Sequence, residues 1–198
     1  MNSEKISASV SERVSAWLVK NGIDAESDAA SQADATARSD AFRSAMRRLG
    51  GAVNIVTTQD GSARFGLTAT AVCSLTANPP RLLACVNLSG RSYQAIAKAR
   101  CMAVNVLGIQ HRELAYAFAG KQGEDPFAAI DNWTQAATGA PILTDALASF
   151  DCDVEQMMIT TTHAIVIGDI RHISYGVGGK PLLYLDGEFM TSGALLPD

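Results

Sequence analysis

Thr68, Thr70, Ser74 and Thr76 place four hydroxyls at even positions along the stretch from Gly66 to Pro80. In an extended chain, alternation sends those hydroxyls to one face and Leu67, Ala69, Ala71 and Cys73 to the other. Hydroxyls both donate and accept hydrogen bonds, and small neighbours let a ligand come close to the backbone. That combination suits a phosphate- or sugar-bearing molecule. An ordinary half-solvated, threonine-rich strand has the same composition, and β-propensity alone favours that reading.

A second group follows at Ser89-Gly90-Arg91-Ser92, ahead of a short helix running through Lys98. The free N–H groups and the dipole at a helix start favour an anion, and Arg91 adds a positive charge. Plain N-capping by a serine fits the same residues. His163 stands at a strand start, where a histidine is more often structural than reactive. No Ser/His/Asp set, paired-carboxylate motif or phosphate loop stands out.

The elements that must hold these groups are mostly short strands. Val53 to Thr58 is a strand that reverses at Asp60-Gly61 into a single strand from Gly66, which Asn78-Pro79-Pro80 must end because proline lacks the ladder N–H. Leu82 to Leu88 then makes a second hairpin, Cys101 to Leu107 another strand, and Gln110 to Phe118 a helix with Leu114 and Phe118 on one face. The polar segment from Gly120 to about Pro141 is long enough to be a lid or a dimer contact. Leu147 to Met158 and Thr162 to Ile173 are two further strands, and Leu182 to Leu185 closes the sheet. This order lacks the βαβ alternation of a doubly wound nucleotide-binding fold, and Gly176-Val177-Gly178-Gly179 reads as a hairpin turn rather than a dinucleotide fingerprint.

Ahead of this body, Val10, Val14, Trp17 and Leu18 mark a short amphipathic helix over residues 7 to 20 that Gly22 ends. Asp24 to Asp40 reads as a linker or frayed helix. Ser39 then caps a helix carrying Phe42, Met46 and Leu49, stopped by Gly50-Gly51. The expected organisation is an N-terminal extension over residues 1–38 and one domain over 39–198.

Composition excludes several classes. The 198 residues are 47% hydrophobic and 18% charged, with a net charge of −4, most of it in the first forty residues. A near-neutral body without a Lys/Arg stripe argues against a nucleic-acid partner. No apolar run approaches the roughly 18 residues of a membrane helix, and the N-terminus lacks the apolar core of a signal peptide, so a cytoplasmic location is expected. Cys73, Cys85, Cys101 and Cys152 lie in apolar contexts without paired spacing and read as buried, reduced thiols. Together with His111, His163 and His172 they show no ligand spacing, so no metal is expected.

The run Gly66 to Thr76, then Pro79-Pro80, then Cys85-Val86-Asn87-Leu88-Ser89 with Ser92, resembles the short-chain flavin reductase family of NAD(P)H:flavin oxidoreductases, including the reductase component of 4-hydroxyphenylacetate 3-monooxygenase. The likeness continues through Val104 to Leu107, Phe118-Ala119-Gly120, His163 with Gly168, and Pro181 to Tyr184, covering about residues 41 to 198. It implies a mainly β fold with inserted helices: a split β-barrel of antiparallel Greek-key type, binding flavin at a homodimer interface. The implied cofactor is exchangeable FMN or FAD, with NADH or NADPH as co-substrate and a flavin-dependent monooxygenase as partner through diffusible reduced flavin. By the same resemblance, Thr68, Ala69, Thr70 and Ser74 line the ribityl chain and ring edge, while Cys85, Val86 and Asn87 meet the ring. Ser89, Arg91 and Ser92 take the phosphate, Phe118 and Ala119 border the pocket, and Tyr184 lies in the matching end strand. His163 corresponds to the family histidine near the nicotinamide, although Thr161-Thr162 stand where the family commonly reads Gly-Asp. Two alternatives stay beside this function: a same-fold oxidase holding flavin as a fixed group, as in pyridoxamine phosphate oxidase-like proteins, and a flavin-binding module without turnover.

Overall fold

The computed structural model describes residues 25–121, 125–176 and 178–193. The helix expected over residues 7 to 20 lies outside them. Chain contacts divide the protein into two compact units between Leu49 and Gly50.

Helix α1 (Ala25–Met46), followed by a turn through Leu49, is the described part of the first unit. Of the two readings of Asp24 to Asp40, linker or frayed helix, the helix holds from Ala25 onward, unbroken, and Ser39 lies inside it rather than at a start. Frequent alanine carries the highest helix propensity, and acid-before-base pairs reinforce it, with Arg38 Nη2 at 2.8 Å from Asp34 and Arg43 bonded to Asp40. Phe42, Met46 and Leu49 are exposed.

In the second unit the strands are β1 (Gly51–Ala52), β2 (Asn54–Asp60), β3 (Ala63–Ala69), β4 (Val72–Ala77), β5 (Pro80–Asn87), β6 (Cys101–Val106), β7 (Trp133–Gln135), β8 (Pro141–Leu143), β9 (Ala148–Ile159), β10 (His163–Tyr175), β11 (Leu183–Leu185) and β12 (Glu188–Met190). Seven form one antiparallel sheet in the order β3-β2-β6-β9-β10-β5-β4. The strand expected to run unbroken from Gly66 is thus two strands. Val72 N–H turns back onto the Thr70 carbonyl at 2.9 Å, a three-residue turn that resets the alternation, and the Ala71 carbonyl accepts from Cys85 N–H at 2.9 Å. Because β3 and β4 occupy opposite edges yet are separated by only Thr70 and Ala71, the sheet must curl until its edges converge there.

Strand β2 is buried on both faces from Asn54 to Thr58, and its polar Asn54, Thr57 and Thr58 side chains are each hydrogen-bonded to backbone carbonyls. Val56 packs with Ala84, Val86, Ile96, Met102, Val104 and Val166 on one side. Val53 and Ile55 pack with Leu107, Leu114, Phe118, Phe127, Leu143 and Leu182 on the other. Asn105, fully buried on β6, joins the layers: its amide donates to the Ile55 carbonyl at 3.1 Å, and its oxygen accepts from Leu143 N–H and the Ser149 hydroxyl, each at 2.9 Å. Satisfying both ends of a buried amide in this way avoids a large desolvation cost.

Three further expectations change. Leu183–Leu185 does not close the large sheet; it forms a separate three-stranded sheet with β1 and β12, while the neighbouring Leu182 exchanges backbone bonds with Val53 and Leu107. The segment after Gly120 is not an open polar loop. It contains a 3₁₀ turn at Pro126–Ala129 and the β7–β8 hairpin, anchored by buried Phe127. Of the four cysteines, Cys101 and Cys152 are buried, Cys85 is half-buried, and Cys73 is exposed on edge strand β4.

Candidate active site

Helix α2 (Arg91–Ala99) begins at Gly90 with no side-chain cap. The serines expected to cap it are turned elsewhere. Ser89 donates both its N–H (2.9 Å) and its hydroxyl (2.8 Å) to Asn87 Oδ1, and the Ser92 hydroxyl donates to the Gly66 carbonyl at 2.8 Å. The helix start is therefore left without a side-chain cap on its positive end, with the exposed Arg91 beside it.

Opposite this helix start, alternation along β3 lines up Arg64, Gly66 and Thr68 on one face. The chain that covers them is a 3₁₀ turn (Ile109–His111), helix α3 (Arg112–Tyr116) and a wide turn over Ala117–Lys121 that Gly120 breaks at φ 76°. Thr68 donates its hydroxyl to the Ala115 carbonyl at 2.7 Å. Phe118 lies directly over Gly66: a Cβ there would be 2.5 Å from the ring. Phe118 is fixed by Phe127 and Trp133, with ring centroids 4.9 and 5.8 Å away. Arg64 sits over Phe127, its guanidinium carbon 4.6 Å from the ring centre. Between these walls is a cavity of 820 Å³ bordered by Arg64, Gly66, Leu67, Gly90, Arg91, Ser92, Phe118 and Ala119, among others, within the range of about 300–1,000 Å³ typical of ligand sites.

Of the residues singled out in the sequence, Arg91, Ser92, Phe118 and Ala119 line this cavity together. Thr68 does not line it; its hydroxyl is bonded to the Ala115 carbonyl. His163 is exposed at the start of β10, opposite Asn87 in register, with Nδ1 2.8 Å from the Thr162 hydroxyl. Leu88 N–H bonds the Thr162 carbonyl at 3.0 Å, which fixes this histidine to the loop leading into α2. Ala69 is buried and Thr70 exposed at the β3–β4 break. Cys85 is half-buried, whereas the Val86 side chain is in the core, so it presents only backbone, and that backbone pairs with Ala164. Ser74 is not in the 820 Å³ cavity. It borders a second one of 510 Å³, lined by β4 with Arg81, Phe150 and Ile170. Tyr184 lies in the small sheet against Phe189, ring centres 5.4 Å apart. Sequence reasoning missed Arg64 and gave Gly66 no role; their i, i+2 spacing with Thr68 was the available signal.

The Cys152 thiol is not part of the cavity. Burial, with help from Asp151, Asp169 and Asp153, pushes the Cys152 thiol up to about 12. No group of three or more His, Cys, Asp or Glu side chains among the described residues could hold a metal ion, and no helix among them is long and apolar enough to cross a membrane.

The model of the flavin reductase like domain matches residues 46–193. The chain belongs to the flavin reductase like domain family. The family match includes every residue of the cavity and leaves most of α1 outside it. A curated relative, the FMN reductase (NADH) RutF of Variovorax paradoxus, is 43% identical over 148 residues, 75% of this chain and 82% of that protein. The nitrilotriacetate monooxygenase component B homologue from Mycobacterium thermoresistibile superposes with a TM-score of 0.74 at 27% identity, covering 82% of this chain and 94% of that one. The NADH:FAD oxidoreductase SgcE6 of Streptomyces globisporus C-1027, solved with NAD and FAD fragments, superposes at 0.70 with 26% identity over 79% and 92%.

Proposed function

We propose that this protein uses NADH or NADPH to reduce free FMN or FAD and releases the reduced flavin to a separate monooxygenase. The observation that carries the reading is the cavity between β3 and the uncapped start of α2, in a chain of the flavin reductase family. The residues present fit a flavin. Arg91 and the α2 amides, that of Ser92 among them, suit its phosphate, Leu67 and Phe118 give apolar walls, and the bare backbone at Gly66 lets the Phe118 ring seat against β3. Relatives bearing NADH, FMN and FAD in their names support the choice of substrates.

Hydride acceptance is the chemistry that a bound flavin supplies. The chain itself orients and shields. Phe118, held by its aromatic neighbours, excludes water from one wall. Thr68, whose proton is committed to Ala115, offers only its oxygen lone pairs to a ligand. With Ala69, Thr70 and the Cys85–Asn87 backbone it borders the ring side of this reading. His163, at the same end of the sheet as the phosphate loop, receives the nicotinamide end of the co-substrate.

The curled seven-stranded sheet, whose edges meet at Thr70-Ala71, supports a split β-barrel of antiparallel Greek-key type. A homodimer completes the reading. Half-exposed Leu83, Cys85, Ile165 and Ile167 share one sheet face with exposed Met158, beside exposed edge strand β4, an apolar surface that a second copy would cover. Residues 1–38 are dispensable for turnover in this reading.

Turnover tests it. NADH oxidation should saturate with added FMN or FAD, and the protein should reduce cytochrome c across a dialysis membrane. Stoichiometric flavin surviving exhaustive dialysis, with turnover indifferent to added flavin, would favour a fixed prosthetic group. Binding without NADH oxidation would favour a flavin-holding module.

A further inference from the structure

Arg64 is a second cation on the cavity wall, and the phosphate role of Arg91 and Ser92 leaves it unexplained. It points to the same side of β3 as Gly66, about 7 Å along the strand from the carbonyl that receives Ser92. Phe127, on which it rests, is buried between Phe118 and Trp133, so the guanidinium is held in place without losing its charge.

Among the described residues its one ion pair is with Asp125, at 4.0 Å, between side chains 38% and 62% exposed. Such a pair contributes little and yields to a stronger anion. Asp125 is also committed locally, accepting the Phe127 N–H at 3.1 Å to start the 3₁₀ turn. A single phosphate at the α2 start would be met by Arg91 and the helix amides, the Ser92 hydroxyl being committed to the Gly66 carbonyl. A further guanidinium in the same cavity fits a further phosphate.

We propose that Arg64 binds the second phosphate of a dinucleotide seated in this cavity, supplied by the diphosphate of FAD or by that of NADH. The inference rests on the flavin-reductase reading. Arg64 is the residue that would let the site distinguish a dinucleotide from its mononucleotide half.

The test uses full-length protein with Arg64→Gln, which removes the charge but keeps most of the stem on Phe127, and Arg64→Lys, which keeps the charge. Fluorescence titration gives affinities for FAD, FMN and riboflavin, and steady-state kinetics give the NADH KM with FMN as acceptor. If FAD is the source, Arg64→Gln weakens FAD about tenfold while FMN and riboflavin stay within about twofold. If NADH is the source, the KM for NADH rises by a similar factor with kcat nearly unchanged. Arg64→Lys recovers much of either loss. Arg91→Gln in parallel lowers FMN and FAD together against riboflavin. Should Arg64→Gln leave both the FAD-to-FMN ratio and the NADH KM unchanged, or shift riboflavin as much as FAD, the assignment is overturned. A wild-type protein that binds no flavin overturns the reductase reading itself, and the Arg64 assignment with it.

Discussion

Ser92 and Gly66 are joined by a hydrogen bond of 2.8 Å in which the serine hydroxyl donates to the glycine carbonyl. It ties the first turn of α2 to the strand beneath the cavity, so the anion-facing end of the helix and the floor of the site move as one piece. Ser92→Ala leaves a part-buried carbonyl short of a partner, at a cost of about 1 kcal/mol. Equilibrium unfolding should show that loss. Titration should show FMN bound about fivefold more weakly, with riboflavin changed less than twofold, a factor consistent with roughly 1 kcal/mol at the phosphate end.

Gly66→Ala sets a methyl against Phe118 Cε1 at 2.5 Å and Cδ1 at 2.8 Å. The ring is 5% exposed and wedged by Phe127 and Trp133, so it has little room to retreat. Overpacking of this kind costs about 1–3 kcal/mol, and the flavin KM should rise as the wall shifts. Adding Phe118→Leu should restore most of the stability in urea unfolding. A Gly66→Ala protein as stable as wild type would mean that the ring swings aside freely.

His163 is exposed, and among the described residues its ring nitrogen bonds only the adjacent Thr162 hydroxyl. His163→Ala should therefore leave stability within about 0.5 kcal/mol. Kinetics should show a raised KM for NADH at unchanged FMN affinity. Parallel shifts in both parameters would reject the division between a phosphate end and a nicotinamide end.

Cys152 links stability to alkaline pH. Its folded pKa is raised from 9.0 to about 12 by burial first and by the neighbouring aspartates second. Above pH 9 the unfolded chain releases a proton that the folded chain still holds, so stability present below that point is lost as pH rises toward 12. Denaturant midpoints measured from pH 8 to 11 should fall, and Cys152→Ala should flatten the slope whatever its effect on absolute stability.

Much of this architecture was legible where local pattern and burial agree. The hairpins around Asp60-Gly61 and Asn78-Pro79, the long β9 and β10 strands, and α2 all follow from alternation and turn residues. The break at Thr70-Ala71 was hidden because neither residue is a glycine or proline; the curvature of the whole sheet imposes it. Helix α1 up to Asp40 left linker and frayed helix both open because it lacks apolar anchors, whereas alanine propensity and paired charges sustain it. Arg91, Ser92, Phe118 and Ala119 could be grouped by resemblance. Arg64 gained meaning only once the chain beyond Ala115 had folded over β3, a tertiary event with no local signature.

The two-residue passage between β3 and β4 has a kinetic consequence. The β4–β5 hairpin is local in sequence, yet it is seated by pairing with β10, from the far half of the chain, as in Val86 with Ala164. Distant pairings of this kind close late, since loop entropy opposes them until the intervening strands are in place. Convergence of the two edges at Thr70-Ala71 belongs to that late stage, and the passage then acts as a clasp on the rolled sheet. In refolding, recovery of flavin binding should trail recovery of β-structure.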